Sequence, residues 1–534
     1  MFNTRHGVFK ARRLAAYSYA AAPGTRASRG TKERASLSFL LVLMFFGVFG
    51  VIVLTEILMV DERGRGQGVL LPSHMDQRPP PSANLTAKDG DWQIVSGTRF
   101  KFLVFSAFFD KRDGNRMIRI VGATKTRLPE RVFCRFWYPA DHPQHDQAVT
   151  VPAKVKVIRE NWNLKYSACF VLCLLRANQT VPAVVSVVAR LRVRPHNMLA
   201  VRPLDRPDGA PPPDPASLAV CVKPLHFSYN RPVEMLEFLE LNTMLGADHF
   251  TFYNHTIGPQ VSCILHDYAA RGRVTLLPWN LNMASQREIR TEGLFAALND
   301  CLYRNMHRHA LVAQIDLDEY IVPRHNLTLP DLLQWLGKRL NTRSAGSFSF
   351  QNAFFYLQWP DDPLVDKHGL DSRLLTARKT TRRTKLHPHK QRSKYIARPE
   401  FVVEAGNHFV WEFLPGHGAI NVHPSAAILH HYRVCEFGGD DCVKSSHVVD
   451  RTAHRYKDRL SAQVSKRWAL LRDDCKLGEL FTPPPDGVPP PPPGSGAPPP
   501  QQPPPGGDAA APDPDGPDGV EALQVLEPER PEQS

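Results

Sequence analysis

Ala310–Pro323 reads ALVAQIDLDEYIVP. An apolar run from Ala310 to Ile315 stops at two aspartates one residue apart. A run this short, bounded by polar residues, fits a buried strand better than a helix, which needs ten residues or more. In extended chain, positions i and i+2 project to one side, so Asp316 and Asp318 are expected to stand together at the sheet's edge. Two carboxylates so close repel unless a cation lies between them. Hard oxygen ligands suit Mg²⁺ or Mn²⁺. A cation held there can bridge the diphosphate of a nucleotide and neutralise charge on a leaving group. A solvated acidic turn is the plain alternative, because Asp-x-Asp alone is a short motif.

Outward from this point, strands alternate with helices. Residues 218–222 (LAVCV), 249–253 and 273–278 read as strands. Residues 232–245 read as a helix with Pro232 at its first turn, followed by helices at 260–270, 286–308 and 329–340. This alternation predicts an α/β, Rossmann-like domain over 217–481, with a parallel sheet covered by helices on both faces. Such sheets bind ligands at the carboxyl ends of their strands. Residues 92–202 differ: β-branched and aromatic stretches such as FKFLVFSAFF from Phe100 are separated by turn residues, which predicts a β-rich module. Residues 203–216 (PLDRPDGAPPPDPA) form a linker, and 61–91 a polar stem. The acidic, Pro-rich stretch 482–534 reads as a disordered tail.

The 534 residues carry 43% hydrophobic and 22% charged residues, an ordinary globular balance, so a wholly disordered or fibrous protein is excluded. The net charge of +14 points to an anionic partner. Location decides which one. Ala35–Thr55 (ASLSFLLVLMFFGVFGVIVLT) is free of charge and long enough to span a bilayer as a helix. Too much chain precedes it for a cleaved signal peptide. It is read as a signal-anchor transmembrane helix over 35–60, with 1–34 as a cytosolic tail. The denser basic flank on the N-terminal side (Arg26, Arg29, Lys32, Arg34) sends everything after Val60 outside or into a lumen. Sequons at Asn84, Asn178, Asn254 and Asn326, and all nine cysteines, lie on that far side. No cysteine spacing fits a zinc site. The odd count leaves a thiol free or paired with another chain, which admits a homodimer. Nucleic acid is thereby set aside as partner.

The stretches VCVKPLHFSYNRPVEMLEFLELNTMLGADHFTFYNHT, LNDCLYRN, IDLDEYIVP, GSFSFQNAFF, KYIARPEFVVEAGNHF and LHHYR resemble glycosyltransferase family 92, in family order. The β-rich stretch around Leu103 also resembles the module preceding the catalytic part of animal members. The resemblance implies a GT-A fold, Mn²⁺ or Mg²⁺, an inverting mechanism and a UDP-sugar donor. In animal members that donor is usually UDP-galactose, and the linkage β-1,4. The acceptor would be a glycan on a glycoprotein or glycolipid, and the enzyme a type II protein of the Golgi membrane. By the same resemblance Asp316 and Asp318 match the metal motif, with Asp316 toward ribose or metal. His431, in a late His-Tyr-Arg element, would complete the metal shell, unless it is a structural histidine. Asn299 and Asp300 match an Asn-Asp-Cys element, although packing of their helix is the favoured account.

Inverting transfer also needs a base. Glu404, Glu412, Asp361 and Asp362 are candidates, and Glu412 is preferred because Trp411 beside it can stack on a sugar; an exposed strand position is its plain alternative. Lys223 and Arg231 follow the first strand of the sheet, where nucleotide commonly binds, unless they are ordinary surface charge. The basic stretch Arg373–Lys394 either folds over a diphosphate or is a solvated loop. Two rival functions remain: a non-catalytic glycan-binding protein on a degenerate transferase fold, and a surface adhesion protein.

Overall fold

The computed structural model describes residue 44 and residues 86–138, 149–203, 211–366, 369–435 and 442–480. The segments expected to be the cytosolic tail, most of the stem, the Pro-rich tail and, apart from Met44, the anchor lie outside the described residues. Among the described residues no helix is long and apolar enough to cross a membrane.

Strands between Gln93 and Pro203 form one nine-stranded sheet. It is antiparallel except where Leu103–Asp110 pairs with Leu199–Pro203. Leu103–Asp110 is buried at every position. One face meets the sheet's own core, with Val104, Ala107, Ile118, Ile120 and Val171. The other face, with Leu103, Phe105, Phe108, Val121 and Phe170, packs on residues of the helix Leu294–Asn305. Covered on both faces, the strand has no need of polar alternation.

The helix Leu294–Asn305 is buried along its whole length because it lies between two sheets. Its polar side chains are satisfied by its neighbours. Asn299 bonds both the N–H and the carbonyl of Ala405 at 2.9 Å. Asp300 accepts from Ser106, Tyr253 and Arg304. Both residues are therefore packing elements. The expected helix start at 286 is corrected to 294: Gln286, Thr291 and Glu292 have positive φ and break the helical path. Gly293 (φ 75°) opens the helix where an added Cβ would come within 2.7 Å of Leu281.

The second sheet has seven strands, in the order Val274–Pro278, His249–Asn254, Leu218–Cys221, Leu311–Gln314, Lys394–Ala397, Ala345–Phe350 and Gly418–Asn421. The first four are parallel. Lys394–Ala397 is antiparallel to both neighbours. The sheet is mixed rather than wholly parallel as the sequence predicts. Antiparallel addition needs no crossover helix, which is why the strand–helix rhythm fades beyond Gly337. A further three-stranded sheet joins Glu319–Pro323 and Asn352–Tyr356 to Ala427–Arg433 and sets Glu319 opposite His431. Disulfides link Cys134–Cys173, Cys221–Cys301, Cys263–Cys475 and Cys435–Cys442. Cys169 is free but buried, so it offers no thiol to a second chain.

Candidate functional site

Asp316 and Asp318 do not project from extended chain. The strand ends at Gln314, and a turn follows, with the Glu319 N–H donating to the Asp316 carbonyl at 3.1 Å. The turn gives the two carboxylates different partners. Asp316 is buried, its Oδ2 accepting from Lys223 Nζ at 3.0 Å and Lys394 Nζ at 3.2 Å. Burial pushes its carboxyl up, but Lys223 and Lys394 outweigh burial and hold it well below the ordinary range. No cation shared with Asp318 is needed to settle its charge, which corrects the repulsion argument. Asp318 is the more open of the two, its side chain 44% exposed.

Asp318 Oδ2 lies 3.3 Å from His431 Nε2. The other ring nitrogen, Nδ1, faces Glu319 Oε1 at 3.3 Å and the Asn352 amide at 2.9 Å. Metal-binding histidines commonly have one nitrogen oriented by a neighbouring carboxylate or amide while the other turns to the ion. Ligands bound about 2.1 Å from an ion at right angles stand about 3 Å apart, close to the observed separation. A carboxylate oxygen with an imidazole nitrogen suits Mn²⁺ or Mg²⁺, so the pair fits the expected cofactor. Among the described residues no three His, Cys, Asp or Glu side chains are arranged to hold an ion by themselves. The pair would share an ion with ligand oxygens, the usual arrangement at a diphosphate.

The remaining sequence candidates scatter. Lys223 stands at the site through Asp316. Arg231 is exposed and pairs with Glu234 at 3.2 Å, one helical turn away. Glu412 is bound by Lys156 at 2.6 Å and Arg159 at 2.5 Å, both from the β-rich module. These contacts tie Glu412 to the β-rich module, and among the described residues no ion pair joins it to Asp316, Asp318 or His431. Glu404 is buried against the same Lys156 at 2.9 Å. In the basic stretch, Arg378 and Lys379 bind Asp361 and Arg382 binds Asp450; only Lys394 reaches Asp316. Asp362 is engaged by Thr380 and Arg451. Asn178 sits on an exposed turn, open to a glycan. Asn254 is half-buried at a strand end, and Asn326 is half-buried with its Oδ1 enclosed. Asn84 lies outside the described residues. A cavity of about 810 Å³ opens at the opposite, amino ends of the strands, lined by Pro213, His309 and Arg398 among others.

Sequence reasoning missed Lys394, Glu319 and Asn352 as working parts of the site. Glu319 adjoins the aspartates in DLDEY and Asn352 falls in GSFSFQNAFF, so both were within quoted stretches. Lys394 opens the quoted stretch KYIARPEFVVEAGNHF, but as the last of nine basic residues in Arg373–Lys394 it carried no mark of its own.

Lys223 and Asp318 follow the carboxyl ends of two parallel strands, and His431 comes to Asp318 from the neighbouring three-stranded sheet, which puts the cluster where open α/β sheets bind their ligands. The profile of Glycosyltransferase family 92 matches residues 216–476, and this stretch of the chain belongs to that family. A glycosyltransferase family 92 protein of Caenorhabditis elegans is 29% identical over 120 residues, 21% of this chain. The match spans about a quarter (24%) of that relative's length. Among solved structures, glucosyl-3-phosphoglycerate synthase of Mycobacterium tuberculosis, in complex with Mn²⁺, UDP and glucosyl-3-phosphoglycerate, is similar at 14% identity and a TM-score of 0.21. That alignment covers 49% of this chain and 81% of that one. TarS (1–349) of Staphylococcus aureus is similar at 12% identity and a TM-score of 0.23, over 48% and 73% of the two chains.

Proposed function

We propose that the protein is a divalent-metal-dependent glycosyltransferase that moves galactose from UDP-galactose to a hydroxyl of a glycan on a glycoprotein or glycolipid. Transfer inverts the anomeric centre and forms a β-1,4 linkage. The observation that carries this reading is the Asp318–His431 pair, 3.3 Å apart, beside Lys223 in a family 92 domain.

Asp318 and His431 would hold the Mn²⁺ or Mg²⁺, which when bound would supply positive charge against a departing diphosphate. Lys223, its ammonium one-third exposed, adds a second positive charge at the same edge. Asp316 keeps Lys223 and Lys394 in place. Glu319 keeps the His431 ring turned toward Asp318. The acceptor oxygen bonds to the sugar's anomeric carbon as the bond to UDP breaks; its proton passes to a base, and no covalent link to the enzyme forms.

The charge-free run 35–55, the four disulfides among the described residues and the exposed sequon at Asn178 support a type II anchor in the Golgi membrane with this domain in the lumen. The test is calorimetric UDP binding by the full-length protein, with UDP release from UDP-galactose followed in parallel. Both are expected only with Mn²⁺, and Asp318→Ala is expected to lower both by more than about 100-fold, beyond the loss typical of removing a supporting partner. A glycan-binding protein on a degenerate fold would ignore UDP, and activity surviving excess chelator would end the metal mechanism.

A further inference from the structure

The β-rich module reaches into the neighbourhood of Asp316 through one side chain. After the strand Lys154–Val157 the chain turns, and Arg159 and Glu160 insert against the hairpin Val402–Phe413 of the family 92 domain. Glu160 Oε2 accepts from the Asn407 N–H at 2.9 Å and from Trp411 Nε1 at 3.0 Å. Asn407 Oδ1 in turn accepts from Lys394 Nζ at 2.9 Å. Lys394 is the buried ammonium that holds Asp316. The carboxylate of one module therefore stands two residues away from the acid at the heart of the other.

The approach is built in. A Cβ at Gly406 would lie 2.5 Å from Trp411 and 2.7 Å from Glu160 Oε2, so only glycine lets the loop close on this carboxylate. Lys394 needs such help. It is buried among Asp316, Glu319 at 3.4 Å and Asn407, and three donor hydrogens on a flexible stem hold one geometry only when each partner is fixed. Two of the three partners belong to the Asp316 turn, and the third is fixed from the module.

We propose that Glu160 is a positioning residue of the transferase site: by clamping Asn407 it holds Lys394 on Asp316, which makes the β-rich module part of the catalytic unit. This rests on the transferase reading above. It treats the module as a supporting wall of the site, in addition to any binding role of its own.

The test uses the full chain with Glu160→Ala, Glu160→Gln, Asn407→Ala and the Glu160→Ala/Asn407→Ala double variant. UDP release from UDP-galactose and UDP binding with Mn²⁺ are measured together. Glu160→Ala is expected to lower turnover about 10- to 100-fold, as loss of a supporting partner does. Glu160→Gln, whose amide oxygen can accept both hydrogen bonds, recovers most of that loss, which mere loss of charge at an interface would not allow. In the Asn407→Ala background Glu160→Ala costs less than about twofold more, because the path is already cut. Wild-type turnover in Glu160→Ala, or losses that multiply in the double variant, overturns the proposal. If Glu160→Ala fails to fold, Glu160→Asp, which withdraws the carboxylate by one methylene, carries the same cycle. Wild-type protein that ignores UDP sinks the transferase reading and this one with it; wild-type turnover matched by the Glu160 variants sinks this one alone.

Discussion

Two pairs of acids stand out as candidates in the sequence and behave differently in space. Glu404 and Glu412 face one another across a two-stranded antiparallel ribbon and share Lys156, with Arg159 closing the group from its backbone N–H and its guanidinium. Asp316 and Asp318 share a turn, yet only Asp316 is neutralised by lysines, while Asp318 has an imidazole beside it. Adjacent acids are therefore no signal of a metal by themselves. The useful sign is an acid that the protein's own lysines and arginines leave to an imidazole neighbour.

The largest effect that sharpens this contrast is on stability. Glu404 is fully buried, so Glu404→Ala leaves the Arg159 N–H without its acceptor and Lys156 with Glu412 alone, and is expected to cost about 3 kcal/mol in urea unfolding. A cost below about 1 kcal/mol would mean the glutamate pair is ornamental. A third acid shows what burial does without a cation. Glu237 accepts only neutral donors, from Leu375 and Thr376, and burial pushes its carboxyl up to about 7. The folded chain thus binds a proton that the unfolded chain releases. Stability from this group is full below about pH 4.5 and is lost as pH rises through 7, by about 3 kcal/mol at most. Unfolding free energies at pH 5 and pH 8 should show the decline, and Glu237→Gln should flatten the slope. The smallest effect belongs to Glu412, which is one-third exposed. Glu412→Ala is expected to cost about 0.5 kcal/mol and to leave UDP release within about twofold. A collapse of turnover would support Glu412 as the base.

Much of the parallel half of the sheet was legible, because 218–222, 249–253 and 311–314 are short apolar runs separated by helices with clear ends. The mixed half was not. Lys394–Ala397 (KYIA) joins the sheet's centre with a lysine at its first position, and its pairing is decided by chain far away. Asp318 and His431 were legible as candidates through the resemblance, whereas their differing partners were not, since Glu319 meets His431 only through strand register. Glu160 left no trace in the sequence. Its bond to Asn407 spans 247 positions, and an isolated glutamate in a polar turn resembles any other. The helix Leu294–Asn305 was placed too early, because Gln286 to Arg290 is polar and unbroken by proline.

That helix has a consequence for synthesis. The outer face of the strands from Leu103 to Leu174, rich in phenylalanine, finds its cover only when residues 294–305 emerge. At about 5–20 residues per second, the ribosome leaves this greasy surface bare for on the order of ten seconds. A nascent chain of this kind should lean on chaperones in that interval, and a stall before residue 294 should leave it prone to clumping.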